Sequence, residues 1–296
     1  MRQQVLTKAT TVARRAGSIV SPASRRWRRR LRSLTLDPDR YDALSAPGPD
    51  DFLICGSPRS GTSLVCAALF QPPRCVVAME PWDGLRMTPR DLFASLRDEI
   101  ELTGRLRRGR LDVDALYAEG AARWVREGEA DVAVPTEGRF RLGVKWPAYW
   151  RYLDRLPDTR FIVCLRHPVE VIRSFRSKGG RLGEGFDYDI PFNRSMNDEL
   201  ARATDSPEVR RVLMYEHINA RLLPHLSRPN VLALRYERWF AEADAVLQEL
   251  SAFLSVDLSE ARIRIEQPRS GRDATDEERE LIRTHAPSAA ALGYEL

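Results

Sequence analysis

The sequence predicts an α/β fold in which a P-loop-like central parallel sheet is flanked by helices on both faces. Three observations predict it. Short apolar runs recur at Phe52–Cys55, Phe161–Leu165 and Val231–Arg235, and unbroken apolarity suits strands covered on both sides. Each run is followed by a stretch of helix-forming residues, at Thr62–Phe70, Val169–Ser177 and Arg238–Leu254, and strands that alternate with helices build a parallel sheet. A glycine-containing turn, Gly56-Ser-Pro-Arg-Ser-Gly61, joins the first strand to the first helix.

The elements follow in order. Residues 1–34 carry ten Arg and Lys and no acid, although the whole chain of 296 residues has a net charge of only +5. The remainder therefore holds 37 bases against 42 acids, a net of −5. The high isoelectric point comes from an arm and not from a basic body, which argues against a specific nucleic-acid partner. The arm reads as solvated or loosely helical, with contact to an anionic surface or a targeting role left open. Residues 35–50 are rich in Pro and Asp and read as a linker. The expected organisation is thus an arm and linker over 1–50 and one domain over 51–296.

Within that domain, Cys75–Met79 is a second short apolar run, and residues 89–128 read as helical with a start at Thr88-Pro89. Leu142–Trp146 resembles a strand end, Pro168 opens the helix after Phe161–Leu165, and residues 207–223 form an amphipathic helix. Residues 178–193 contain four glycines and read as a mobile loop. No apolar run approaches the roughly 20 residues of a membrane span. The cysteines, Cys55, Cys66, Cys75 and Cys164, form no CxxC pair and share no ligand spacing with the four histidines. Buried, reduced thiols and a cytoplasmic location are expected, with no metal site.

Two of the turns at the carboxyl ends of the strands, where ligands of such sheets sit, carry anion-binding chemistry. Gly56-Ser-Pro-Arg-Ser-Gly61-Thr62-Ser63 has the glycine spacing of a P-loop, so successive N–H groups can converge on an anion. Thr62 stands where a Walker loop has its Lys, and the cation is Arg59 inside the loop. That suits an anion better than a magnesium triphosphate. The second turn, Arg166-His167-Pro168, follows the strand Phe161–Leu165, and Ser174 lies eight residues beyond Arg166. That spacing is about two helical turns. Arg166 and Ser174 can converge on one phosphate, or Arg166 can pair with a local acid.

The two motifs together resemble those of sulfotransferases that use 3'-phosphoadenosine-5'-phosphosulfate (PAPS). Ser57-Pro-Arg-Ser-Gly-Thr-Ser resembles the family's 5'-phosphosulfate loop, in the form seen in its bacterial and Golgi-type branches. Arg166…Ser174 resembles its 3'-phosphate site, and Leu234-Arg-Tyr-Glu-Arg-Trp239 resembles a later family strand followed by a helix ending in Phe253-Leu254. The resemblance runs from about Phe52 to Val256. It implies that Arg59, Ser60, Gly61, Thr62 and Ser63 hold the phosphosulfate, that Arg166 and Ser174 hold the 3'-phosphate, and that Tyr236 lies near the nucleotide. It also implies that Arg269-Ser-Gly-Arg272 closes over the 3' side.

By the same resemblance, Lys145 and Arg59 stabilise charge on the leaving oxygen, and Glu80 is the general base. Glu80 is chosen because Trp146 and Pro147 follow Lys145 where some relatives carry a His; Glu137 is the next choice. His217 reads as structural. Trp82, Trp146, Tyr149 and Trp150 either line an acceptor pocket or pack the core. The acceptor is expected to be a small molecule, a carbohydrate or a lipid. Two other classes stay open: a P-loop kinase or NTPase, and a non-enzymatic anion-binding protein acting through the Arg-rich arm.

Overall fold

Every residue of Asp51–Gly56 (β1) is buried, as in a strand covered on both faces. The computed structural model describes residues 46–135, 139–259, 261, 263 and 273–296. The arm and most of the linker, Glu137 and Arg269–Arg272 lie outside the described residues. The other strands are β2 (Cys75–Met79), β3 (Arg105–Leu106), β4 (Val132–Ala133), β5 (Arg141–Lys145), β6 (Arg160–Leu165) and β7 (Val231–Arg235). The main helices are α1 (Thr62–Ala68), α2 (Pro89–Thr103), α3 (Val113–Glu119), α4 (Pro168–Lys178), α5 (Arg194–Ala203), α6 (Pro207–Leu222), α7 (Ala243–Leu254) and α8 (Asp276–His285).

Five strands form a parallel sheet in the order β2-β5-β1-β6-β7. Phe52, Leu53 and Ile54 of β1, Val76 and Val77 of β2, and Phe161, Ile162 and Val163 of β6 are fully buried between the helical layers. The pairings Ile54 with Lys145, Met79 with Lys145, and Leu165 with Arg235 align the carboxyl ends of the strands. The connection after β1 leads to one side of the sheet, and the connection from β5 to β6 crosses β1 to the other. The end of β1 is therefore a topological switch point, where a crevice opens.

The predicted fold class is the observed one, with local differences. The stretch 89–128 is not one helix. α2 stops at Thr103, where Gly104 takes a left-handed conformation (φ 64°) and donates its N–H to Ile100, a glycine stop that L side chains resist. The antiparallel pair β3–β4 and the helix α3, capped by Asp112 and ended by Gly120, fill the rest. Residues 178–193 also contain regular structure: Gly180–Gly183 forms a helical turn, and the main chain of Asp187 is tied to Asn197 (2.9 and 3.2 Å) and Arg181 (3.1 Å). Composition signalled a loop there, but the side chains of Arg181 and Asn197, six and ten residues from Asp187, pin it. The predicted helix 238–254 breaks at Glu242, leaving a turn at Arg238–Ala241 ahead of α7, and α5 and α8 were not expected from the sequence.

All four cysteines are buried and free. Burial pushes the thiols of Cys66 and Cys164 up to about 12, so they stay protonated and unreactive. Among the described residues, no helix is long and apolar enough to cross a membrane.

Candidate active site

The glycine loop leaves β1 and turns into α1. Ser60 closes the turn on the carbonyl of Ser57, through its N–H (3.1 Å) and its hydroxyl (2.6 Å). Arg59 (φ 71°) and Gly61 (φ 94°) take left-handed conformations on either side of it. Such alternation curls successive N–H groups into a concave anion nest. The N–H groups of Arg59, Gly61, Thr62 and Ser63 have no partner among the described residues, and α1 has no side-chain cap and no acid in its first turn.

Gly61 is required twice over. A Cβ on it would lie 2.4 Å from Cδ2 of Tyr236, on top of its positive φ. Gly61→Ala is therefore expected to lower stability by on the order of 1–3 kcal/mol. Thermal melting checks this; an unchanged melting temperature would contradict the close packing of Tyr236 on the loop.

The second motif meets the first directly. Arg59 Nε donates to Ser174 Oγ (2.9 Å), across 115 residues of sequence. Arg166, just beyond β6, donates through Nη1 to the carbonyl of Arg59 (3.1 Å). Its Nη2 lies 3.1 Å from Oε2 of Glu170, and its guanidinium sits over the Tyr236 ring at 4.4 Å. The local acid pairing that the sequence left open is thus present, but it occupies one edge of the guanidinium only. Arg166 Nε is buried with no hydrogen-bond partner, and an orphaned buried donor in a cleft fits an acceptor oxygen of a ligand.

Lys145 ends β5 and is 1% exposed. Its Nζ lies 2.5 Å from Oε1 of Glu80 and 3.2 Å from Oγ of Ser63. Glu80, itself 3% exposed, has φ 52° and donates its N–H to the carbonyl of Lys145 (2.8 Å). Burying both charges is costly unless they pair this closely. Glu80 also has Arg110 Nη1 3.5 Å from its other oxygen.

Arg59, Gly61, Thr62, Ser63, Glu80, Lys145, Arg166 and Tyr236 all line one cleft of about 410 Å³, a volume within the range of ligand sites. Ser174 joins them through Arg59. Ser60 does not line the cleft; its hydroxyl is spent inside the loop. Of the two readings left open for the aromatics near Glu80 and Lys145, packing away from the cleft is the one observed for Trp146, Tyr149 and Trp150. Trp82, Trp146, Tyr149 and Trp150 are absent from the cleft wall. Trp146 and Tyr149 are buried, their polar tips bonded to the carbonyls of Pro81 (2.9 Å) and Gly84 (3.0 Å). Trp150 packs edge-on against His217 at 5.9 Å, and burial pushes that histidine down to about 3, so it stays neutral. Besides Tyr236, the lining aromatics are Trp124 and Tyr188. Sequence reading missed both, because one lies in the β3–β4 insertion and the other in the glycine-rich stretch.

Tyr188 is set by a buried polar neighbour. Its N–H donates to Oδ1 of Asp187 (2.6 Å), whose carboxyl burial raises to about 7. A folded carboxyl raised above its unfolded value of 3.8 binds a proton that the unfolded chain has lost. Stability should therefore fall as pH rises from about 4 to about 7 and then level off, by on the order of a few kcal/mol. Asp187→Asn should flatten that part of the stability–pH curve in chemical denaturation; the same slope in the variant would assign it to other groups.

A family model described as "Sulfotransferase family" matches residues 50–260. The nodulation protein NoeE of Sinorhizobium fredii (strain NBRC 101917 / NGR234) is 28% identical over 228 residues, 69% of this chain and 50% of that protein. The chain thus spans about half the length of this curated relative. Among solved structures, the sulfotransferase domain of the Synechococcus PCC 7002 olefin synthase is 19% identical, covers 87% of this chain and 98% of its own, and superposes with a TM-score of 0.45. A sulfotransferase from Alicyclobacillus acidocaldarius is 16% identical, covers 86% of this chain and 98% of its own, and gives 0.42.

Proposed function

Because the chain belongs to the sulfotransferase family, we propose that it moves a sulfuryl group from PAPS to a hydroxyl or amine of a small-molecule, carbohydrate or lipid acceptor. The observation that carries the donor assignment is the interlocking of two anion-binding motifs in one cleft, Arg59 bonded to Ser174 and Arg166 bonded to the Arg59 carbonyl. A nucleotide with anionic groups at both its 5' and 3' ends matches a loop of free N–H groups beside a second, partly unsatisfied arginine.

In this reading, the N–H groups of Arg59, Gly61, Thr62 and Ser63 hold the 5'-phosphosulfate. Arg166 and Ser174 hold the 3'-phosphate, with Tyr236 packed beside the nucleotide. The donor supplies a sulfuryl group on a good leaving group, the 5'-phosphate of 3',5'-adenosine bisphosphate (PAP). In-line displacement makes a bond from the acceptor oxygen or nitrogen to sulfur and breaks the bond from sulfur to the bridging oxygen. Lys145 and Arg59 neutralise the charge that collects on that oxygen. Glu80 takes the acceptor's proton through a carboxylate oxygen. The transfer domain spans 51–296, with 1–50 as arm and linker, and four buried free thiols fit a reducing cytoplasm.

The same geometry supports the reading of a metal-independent reaction. Ser63 occupies the region where a Walker loop would present a hydroxyl to magnesium, but its Oγ lies 3.2 Å from the Lys145 ammonium. An ammonium there repels a dication and supplies the positive charge itself. Calorimetric titration tests both points: PAP is expected to bind equally well with EDTA or magnesium present, and ATP to bind far more weakly. Tight binding confined to magnesium ATP would reverse the assignment towards a kinase.

A further inference from the structure

Arg110 belongs to neither anion motif. It lies in the insertion between β3 and β4, and its main chain docks that insertion on the sheet. Its N–H donates to the carbonyl of Met79 (2.8 Å), at the end of β2, and its own carbonyl accepts from Val125 (3.0 Å). The neighbouring Gly109 (φ 116°) allows the close approach, since a Cβ there would lie 3.1 Å from the Met79 nitrogen. These contacts bring Arg110 beside the residue that precedes Glu80.

The side chain has neighbours of its own. Its guanidinium carbon lies 5.4 Å from the ring centroid of Trp82 and 5.5 Å from that of Trp124. Two indoles thus hold one guanidinium by cation–π attraction, which strengthens as the group is desolvated. Nη1 then reaches to 3.5 Å from Oε2 of Glu80, while Lys145 takes Oε1. The torsion that orients a glutamate carboxylate is intrinsically soft, so one contact leaves its plane loosely set. A second cation on the other oxygen sets it.

We propose that Arg110 is a positioning residue for the transfer reaction: held by Trp82 and Trp124, it fixes the plane of the Glu80 carboxylate against Lys145. The inference rests on the reading of Glu80 as the base. It gives the β3–β4 insertion a part in catalysis that no cleft-lining residue of the loop motifs supplies. Small errors in the placement of a base slow the reaction without weakening donor binding.

A double-mutant cycle tests it. Arg110→Ala, Glu80→Gln and the double variant are compared with the parent by PAP affinity and by the rate of PAP release from PAPS. The release assay contains a mixed panel of phenols, sugars, fatty alcohols and amines as acceptors. Arg110→Ala is expected to slow release roughly 10- to 100-fold, to keep PAP affinity within about twofold, and to cost less than about threefold more once Glu80 is already Gln. Arg110→Lys, which keeps the charge but not the flat fork, should recover part of the rate and serves if the Ala variant folds poorly. A rate within about threefold of the parent, a loss of PAP affinity, or an equal slowing in the Glu80→Gln background would each overturn the proposal. Undiminished release by Glu80→Gln alone would instead remove the base assignment on which it stands.

Discussion

Glu80→Gln is expected to fold, to bind PAP as the parent does, and to turn over roughly 10²–10⁴-fold more slowly. The amide can still accept a hydrogen bond from Lys145 but cannot take a proton. Because the proton moves only as the acceptor attacks, the defect belongs in kcat. The structure adds a cost that the sequence did not reveal. Lys145 is 1% exposed and has Glu80 as its acid, so the variant leaves a buried ammonium without a counter-charge and should melt at a lower temperature. Glu80→Asp keeps the charge and withdraws it by one methylene; it should preserve more stability than the Gln variant and still lose turnover. Steady-state kinetics beside calorimetric PAP affinity separate the outcomes. Loss of PAP affinity in both variants would make Glu80 an organiser of the nucleotide site, and parental turnover in the Gln variant would place the base elsewhere.

Arg166→Ala is expected to weaken PAPS by on the order of 2–3 kcal/mol, which is roughly 30- to 150-fold in affinity. Adenosine 5'-phosphosulfate, which lacks the 3'-phosphate, should lose less than about threefold. The contrast follows from Arg166's contacts: one nitrogen bonds the loop carbonyl, one pairs with Glu170, and Nε is buried with no partner. Competition binding with the two nucleotides measures the difference. Equal losses for both would take Arg166 out of the 3' site and leave it a brace for the glycine loop.

How much of this was legible depended on where the information lay. β1, β2, β6 and β7 were readable because unbroken apolar runs are rare except in covered strands, and the glycine loop because its residues are contiguous. Lys145 stood out in a chain with 47 Lys and Arg of which few are Lys. The pairing of Lys145 with Glu80 was not readable, because it depends on the register that sets Met79 of β2 beside Lys145 of β5. Arg110, Trp124 and Tyr188 were invisible for the same reason: tertiary contacts place them, and no local pattern marks their segments. The two readings of the aromatic residues near Lys145 stayed open because burial of the polar tips of Trp146 and Tyr149 against carbonyls leaves no trace in sequence spacing.

The most direct test follows the label. The purified protein is incubated with sulfur-35 PAPS, the acceptor panel and EDTA, and products are separated. The expected result is label in an acceptor, with one PAP formed for each label transferred, and loss of that transfer in Glu80→Gln. Retention of all label on the nucleotide, together with magnesium-dependent transfer of the γ-phosphate of ATP to the same acceptors, would contradict it.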